Sequence, residues 1–362
     1  MKRLIPILCA SMLTLSACQS KAKVDPEIMA DLEAIVSNCK VGVSGNTVNK
    51  CKNKEHKALL KKFSEKKKDK VDALDTFSVA LTSENKELAV AASTILYSGF
   101  RNFGTTPKKV SKDVAKRLIE AVAKSPKYQA AQALTAAVHA ANLAGEQEAL
   151  YAMLENHPYD SLPGLAYPKI MYYGRMNAFP KVKSLVDSGN KKWAKAALKA
   201  PRNMPKPTEE EKAAVCSWAD SKIKGNTSDT FYGVGNLMIW CKGEYINTLL
   251  TEGEKRLEKN IFTRNDYLLF RDVCFTPIKG LIKEAGKEAQ CKRTLTFLEK
   301  AVNNESLESL PRGLALFAIY YQRRNADSMV IMKKYKDHKD PKIQKYAKES
   351  IESLVKHYKV AE

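Results

Sequence analysis

Ser125-Pro126-Lys127-Tyr128-Gln129-Ala130-Ala131 is the stretch whose reading decides the fold. Serine can cap a helix, proline is pre-set for a first turn, and the alanines allow a second helix to approach closely. Asn85-Lys86-Glu87-Leu88-Ala89-Val90-Ala91-Ala92 repeats the design about 40 residues upstream, and Asp340-Pro341-Lys342-Ile343-Gln344-Lys345-Tyr346-Ala347 repeats it near the C-terminus. Outward from these, apolar residues recur at helical spacing. Val71–Thr82 pairs with Glu84–Phe100, and Val110–Lys124 with Lys127–Leu143. The last third reads as Tyr245–Lys259, Arg264–Phe275, Glu284–Asn303, Arg312–Arg324, Ala326–Tyr335 and Pro341–Tyr358. Sustained period-two alternation is missing, so no sheet is expected.

The recurring cap followed by alanines resembles the second helix of HEAT repeats, and the 40-residue spacing agrees with that family. The resemblance implies an all-α fold, a right-handed α-solenoid of HEAT-like helical hairpins, whose concave face usually serves binding. A longer echo accompanies it. Ser161-Leu162-Pro163-Gly164-Leu165-Ala166 is answered by Ser309-Leu310-Pro311-Arg312-Gly313-Leu314-Ala315, and Ile170 to Asn177 by Ile319 to Asn325. Each copy is followed by a short helix and then a lysine-rich one, which would mark corresponding helices in two halves. Chance similarity between amphipathic helices is the competing reading.

Punctuation divides the chain. Asp25-Pro26-Glu27 opens a helix carrying Ile28, Leu32, Ile35 and Val36 up to Cys39. Val41 to Lys50, with two glycines and two asparagines, reads as a loop. Lys54 to Lys70 reads as a very basic helix, either a solvated face or a membrane-facing patch. Residues 25–70 thus form an N-terminal cap and 71–200 the first set of repeats. Three prolines in Pro201 to Pro207 break the helices and set the expected boundary, with a second repeat half over 208–362. That half opens on Thr208 and Glu211, a capping box. Ala214, Val215, Trp218, Ala219 and Ile223 are its expected core face.

The first twenty residues read as a leader. Lys2 and Arg3 precede an apolar run from Leu4 to Leu15, too short for an ordinary transmembrane helix. The run ends in Leu15-Ser16-Ala17-Cys18, which resembles the lipobox of bacterial lipoproteins. The resemblance implies cleavage after residue 17 and diacylglycerol and acyl chains on Cys18. It further implies a very short tether over 18–24 and, with Gln19 rather than Asp, an outer-membrane location facing the periplasm. An ordinary secretory signal is the alternative. Removing residues 1–17 from 362 leaves 345, enough for two domains or one long repeat array.

An exported chain forms disulfides. Beyond Cys9 and Cys18, six cysteines remain as near neighbours, and Cys39–Cys51, Cys216–Cys241 and Cys274–Cys291 are the expected pairs. Each would contribute roughly 2–4 kcal/mol. Trp218 and Trp240 are expected to pack over the second.

The charge is +21 and is mostly lysine spread along the chain. It reads either as a solvated surface or as attraction to an anionic partner. No nucleic-acid-binding motif accompanies it, so nucleic acid is not the expected partner. Catalytic and cofactor motifs are missing: there is no HExxH, GxSxG, P-loop or GxGxxG, and no cofactor or metal is expected. His139 lies in an apolar run and reads as a semi-buried histidine. Two functions stay open. One is a membrane-anchored scaffold or adaptor for a protein or anionic envelope partner. The other is an envelope-glycan hydrolase or a lipopolysaccharide or anionic-lipid binder, the hydrolase using two distant carboxylates. Tyr172, Tyr173, Arg175, Tyr320, Tyr321, Arg323 and Arg324 are the candidate contacts, since Tyr and Arg favour interfaces. Core tyrosines and solvated arginines are the competing reading, and the sequence leaves the oligomeric state open.

Overall fold

The structure, a computed structural model, describes residues 21–42, 47–49, 54, 58, 71–101, 109–159, 161–274, 287–323 and 326–361. Cys18, Cys51, Arg324 and the basic run from Lys61 to Lys70 lie outside these. Among the described residues the protein is all-α apart from one small ribbon, and it forms two compact units that divide between Leu162 and Pro163.

The first unit starts with α1 (Pro26–Asn38), where Asp25 caps the Glu27 and Ile28 amides and Pro26 takes the first turn. Ile28, Leu32 and Ile35 are fully buried. Two short strands follow, β1 (Lys40–Gly42) and β2 (Thr47–Asn49), antiparallel with Val41 opposite Val48. This corrects the expected loop over Val41 to Lys50. Three-residue strands are too short to show a two-residue period, so only the pairing reveals them. Then come α2 (Val71–Leu81), α3 (Lys86–Arg101), α4 (Lys112–Lys124), α5 (Lys127–Ala144) and α6 (Gln147–Asn156). Successive helices pack as pairs, α2 on α3 and α4 on α5, while α2 also packs on α4, α3 on α5 and α4 on α6. The alanine stretches explain the α3–α5 approach. Ala89, Ala91 and Ala92 on α3 and Ala130, Ala133 and Ala137 on α5 are all buried. Ser93 Oγ meets Gln132 Oε1 across that seam at 2.8 Å. On α2, Asp75 accepts a two-pronged pair from Arg117 at 2.8 Å and also the Lys23 amide, while the Thr76 hydroxyl accepts the Asp25 amide. The chain is therefore pinned to the body from Lys23 onward.

The second unit runs from α7 (Leu162–Gly174) through a 3-10 turn (Arg175–Ala178) to α8 (Phe179–Asp187) and α9 (Lys191–Leu198). The expected break at Pro201 to Pro207 lies inside this unit. Pro201–Asn203 is a 3-10 turn, Pro201 and Met204 are buried, and α9 packs on a helix beyond the prolines. Next are α10 (Glu209–Ile223), α11 (Phe231–Cys241), α12 (Glu244–Glu258), α13 (Arg264–Cys274), α14 (Lys287–Asn303), α15 (Ser309–Arg323), α16 (Ala326–Tyr335) and α17 (Pro341–Tyr358). Alternate helices pack in two rows: α10 on α12 on α14, and α11 on α13 on α15 on α17. The capping box of Thr208 and Glu211 forms as expected. Ala214 is exposed, which corrects its place on the expected core face, and Cys216 is buried.

Between the rows Phe270 meets Phe297 edge-on at 4.6 Å, with Phe262 against both. A buried polar network joins this core. Arg256 lies 4.4 Å from the Phe231 ring centroid and donates to Asp266 and to the Asn226 and Ile261 carbonyls. Asp266 also accepts from the Thr263 amide and hydroxyl. No helix among the described residues is long and apolar enough to cross a membrane.

Candidate binding site

Cys216 and Cys241 are joined, with Cα atoms 5.7 Å apart, tying α10 to the end of α11. Cys39 and Cys291 are also disulfide-bonded. Their expected partners are Cys51, which lies outside the described residues, and Cys274, whose side chain does. Trp218 and Trp240 have neighbours other than the bridge. Phe179 meets Trp218 edge-on at 5.4 Å, and Lys212 lies over Trp240 at 5.9 Å.

The candidate contacts divide sharply. Tyr172 is exposed at 45% and stacks edge-on with the half-buried Tyr173, whose phenol burial pushes up to about 12. Arg175 follows with φ of +48°, a left-handed conformation that costs a non-glycine residue energy. Its guanidinium holds Glu211 with both prongs, one at 2.9 Å, and donates to the Pro205 carbonyl. Glu211 also accepts the Thr208 amide in the capping box. Hydrogen bonding to Arg175, more than any other cause, holds the Glu211 carboxyl below its ordinary value. Arg175 is thus a clasp between the end of α7 and the start of α10.

In the echoed copy, Tyr320 is buried at 6% and its hydroxyl meets Ser353 Oγ at 2.7 Å, so its surface is engaged within the fold. Tyr321 is half-buried beneath the Arg271 guanidinium, 5.5 Å from its ring centroid. Phe317, Tyr320 and Tyr321 form one aromatic group with Tyr346 and Tyr358. Arg323 ends α15, but its side chain lies outside the described ones.

A second feature was not singled out by the sequence. A cleft of about 800 Å³ opens between the α9 end with its 3-10 turn and the start of α11. Lys195, Lys199 and Arg202, all exposed, line one wall. Ser228, Thr230, Tyr232 and Asn236 line the other, and Asp229 is the carboxylate among the lining residues. The walls meet where a Cβ on Gly233 would lie 2.7 Å from Leu198 Cδ1, so glycine permits the contact. The Thr230 hydroxyl is hydrogen-bonded by Asn226 and shares a bond with Ser228, whose own hydroxyl accepts the Thr230 amide at the start of α11. The signal available in the sequence was the spacing of Lys195, Lys199 and Arg202, which puts three cations along one face.

No protein-family model and no curated protein matches this chain.

Proposed function

We propose that this protein is a lipid-anchored, helical-repeat binding scaffold of the bacterial outer membrane, facing the periplasm. The observation that carries the scaffold reading is the packing of alternate helices in rows within the second unit. Stacked hairpins of this kind are what a HEAT-like α-solenoid needs, and extended faces on such stacks bind partners. The same alternation of α2 on α4 on α6 and α3 on α5 supports it in the first unit. The anchor rests on Leu15-Ser16-Ala17-Cys18. Because Lys23 is already pinned to α2, only the four residues 19–22 separate it from Cys18, a reach of at most roughly 17 Å. The first unit is then held near the lipid surface, where a protein or anionic envelope partner is the expected ligand.

Replacing Cys18 with Ala is the test. The wild-type chain should incorporate labelled palmitate and sediment with outer membranes. Cys18→Ala should lose the label and appear in the soluble periplasmic fraction. Continued labelling, or a membrane-bound variant, would end the anchor reading.

A further inference from the structure

The structure points to the cleft between α9 and α11 as a binding site for an anionic carbohydrate, a sugar bearing a carboxylate or a phosphate. Charge is the first argument. Lys195, Lys199 and Arg202 are gathered on one wall, where they repel one another unless an anion lies between them, and Asp229 is the opposing carboxylate. Arg202 Nη1 reaches Asn236 Oδ1 at 3.4 Å, so positive charge extends from that wall to α11.

The start of α11 is closed on itself: Ser228 Oγ accepts from the Thr230 amide and the Ser228 carbonyl from the Phe231 amide, so the side-chain cations carry the attraction for an anion.

The remaining lining selects a sugar over a bare ion. Asn203 and Asn236 donate their side-chain N–H groups to the Lys199 and Tyr232 carbonyls, which orients their amide oxygens. Oriented amides suit hydroxyl groups, which donate and accept. Tyr232 is half-buried and lines the same space with an amphipathic ring, a surface for sugar C–H groups. A volume of 800 Å³ is within the roughly 300–1,000 Å³ typical of small-molecule sites and far exceeds what a single phosphate fills.

The proposal does not rest on the anchored-scaffold reading. Failure of sugar binding would leave the lipid anchor standing, and loss of the anchor would leave the cleft intact. Titration calorimetry on the purified full chain should use trigalacturonate, glucose 6-phosphate, neutral maltotriose and inorganic phosphate. At least one anionic sugar should bind about tenfold more tightly than maltotriose and phosphate, with affinity falling as salt rises. Which of the two binds assigns carboxylate or phosphate. The triple variant Lys195→Gln, Lys199→Gln, Arg202→Gln alters exposed residues and should fold, as circular dichroism would verify. It should lose about tenfold or more in affinity, while Tyr232→Ala should weaken binding with the salt dependence retained. Equal binding of maltotriose, equal binding of phosphate, no binding of either anionic sugar, or an unaffected triple variant would each overturn the proposal.

Discussion

His139 shows how one side chain sets a pH dependence. It sits in α5 among buried alanines, and burial lowers its pKa from 6.5 to about 4. Between those values the unfolded chain binds the proton and the folded chain does not. Stability should therefore be level above about pH 7, fall as the pH drops through 6.5, and stop falling from this source near 4. The difference corresponds to a contribution of about 3 kcal/mol at most. Urea unfolding of wild type and His139→Leu at a series of pH values checks this. The variant should lose that part of the acid slope, and identical slopes would refute it. The sequence supported a semi-buried histidine because its neighbours are alanine and valine. It could not show Arg175 as a clasp, because Glu211 is 36 positions away and the positive φ has no signature in an arginine.

Helix starts were legible where capping is local, but not at α5, where Ser125 bonds back to the Ala121 carbonyl and no side chain caps the helix. Asp25-Pro26, Thr208 with Glu211, and Asp340-Pro341 all place a side-chain acceptor within three residues of the amides it serves. Contacts between helices are not local, and two glycines illustrate this. Gly253 in α12 and Gly164 in α7 look alike in sequence. A Cβ on Gly253 would fall 2.2 Å from Phe270 Cζ, whereas one on Gly164 would meet nothing within 4 Å. Gly253→Ala should destabilise by about 1–3 kcal/mol, because buried Phe270 is wedged among other rings. Gly164→Ala should be neutral or stabilise by up to about 1 kcal/mol through helix propensity. Thermal melts of the two variants decide it. A benign Gly253→Ala would mean that α12 and α13 are farther apart than described.

At the scale of the molecule, disulfides and charge set the behaviour. The Cys216–Cys241 bridge closes a separation of 25 residues and should contribute about 3 kcal/mol by restricting the unfolded chain. Thiol alkylation of the unreduced protein should label none of Cys39, Cys51, Cys216, Cys241, Cys274 and Cys291, and reduction should expose all six. Replacing Cys216 and Cys241 together with Ser should lower the unfolding midpoint. Free thiols at Cys39 or Cys291 before reduction would contradict the structure directly. The all-α class was readable from period alone, since burial at 3.6-residue spacing recurs through the chain. The short ribbon escaped because pairing between Lys40–Gly42 and Thr47–Asn49, not composition, makes it.

The amino-acid sequence by itself determined most of the described helices, the caps at Asp25, Thr208 and Asp340, the lipobox resemblance and the near-neighbour cysteine pairing seen at Cys216–Cys241. These depend on interactions within a few residues or on short chain segments. Tertiary structure alone decided that Tyr320 is buried, that Tyr172 is exposed and that Ala214 faces outward. It also brought Lys195, Lys199 and Arg202 opposite the start of α11, about thirty residues further along the chain. Each of those facts depends on which helix packs against which. An amphipathic period records how wide a buried face is, but not what covers it.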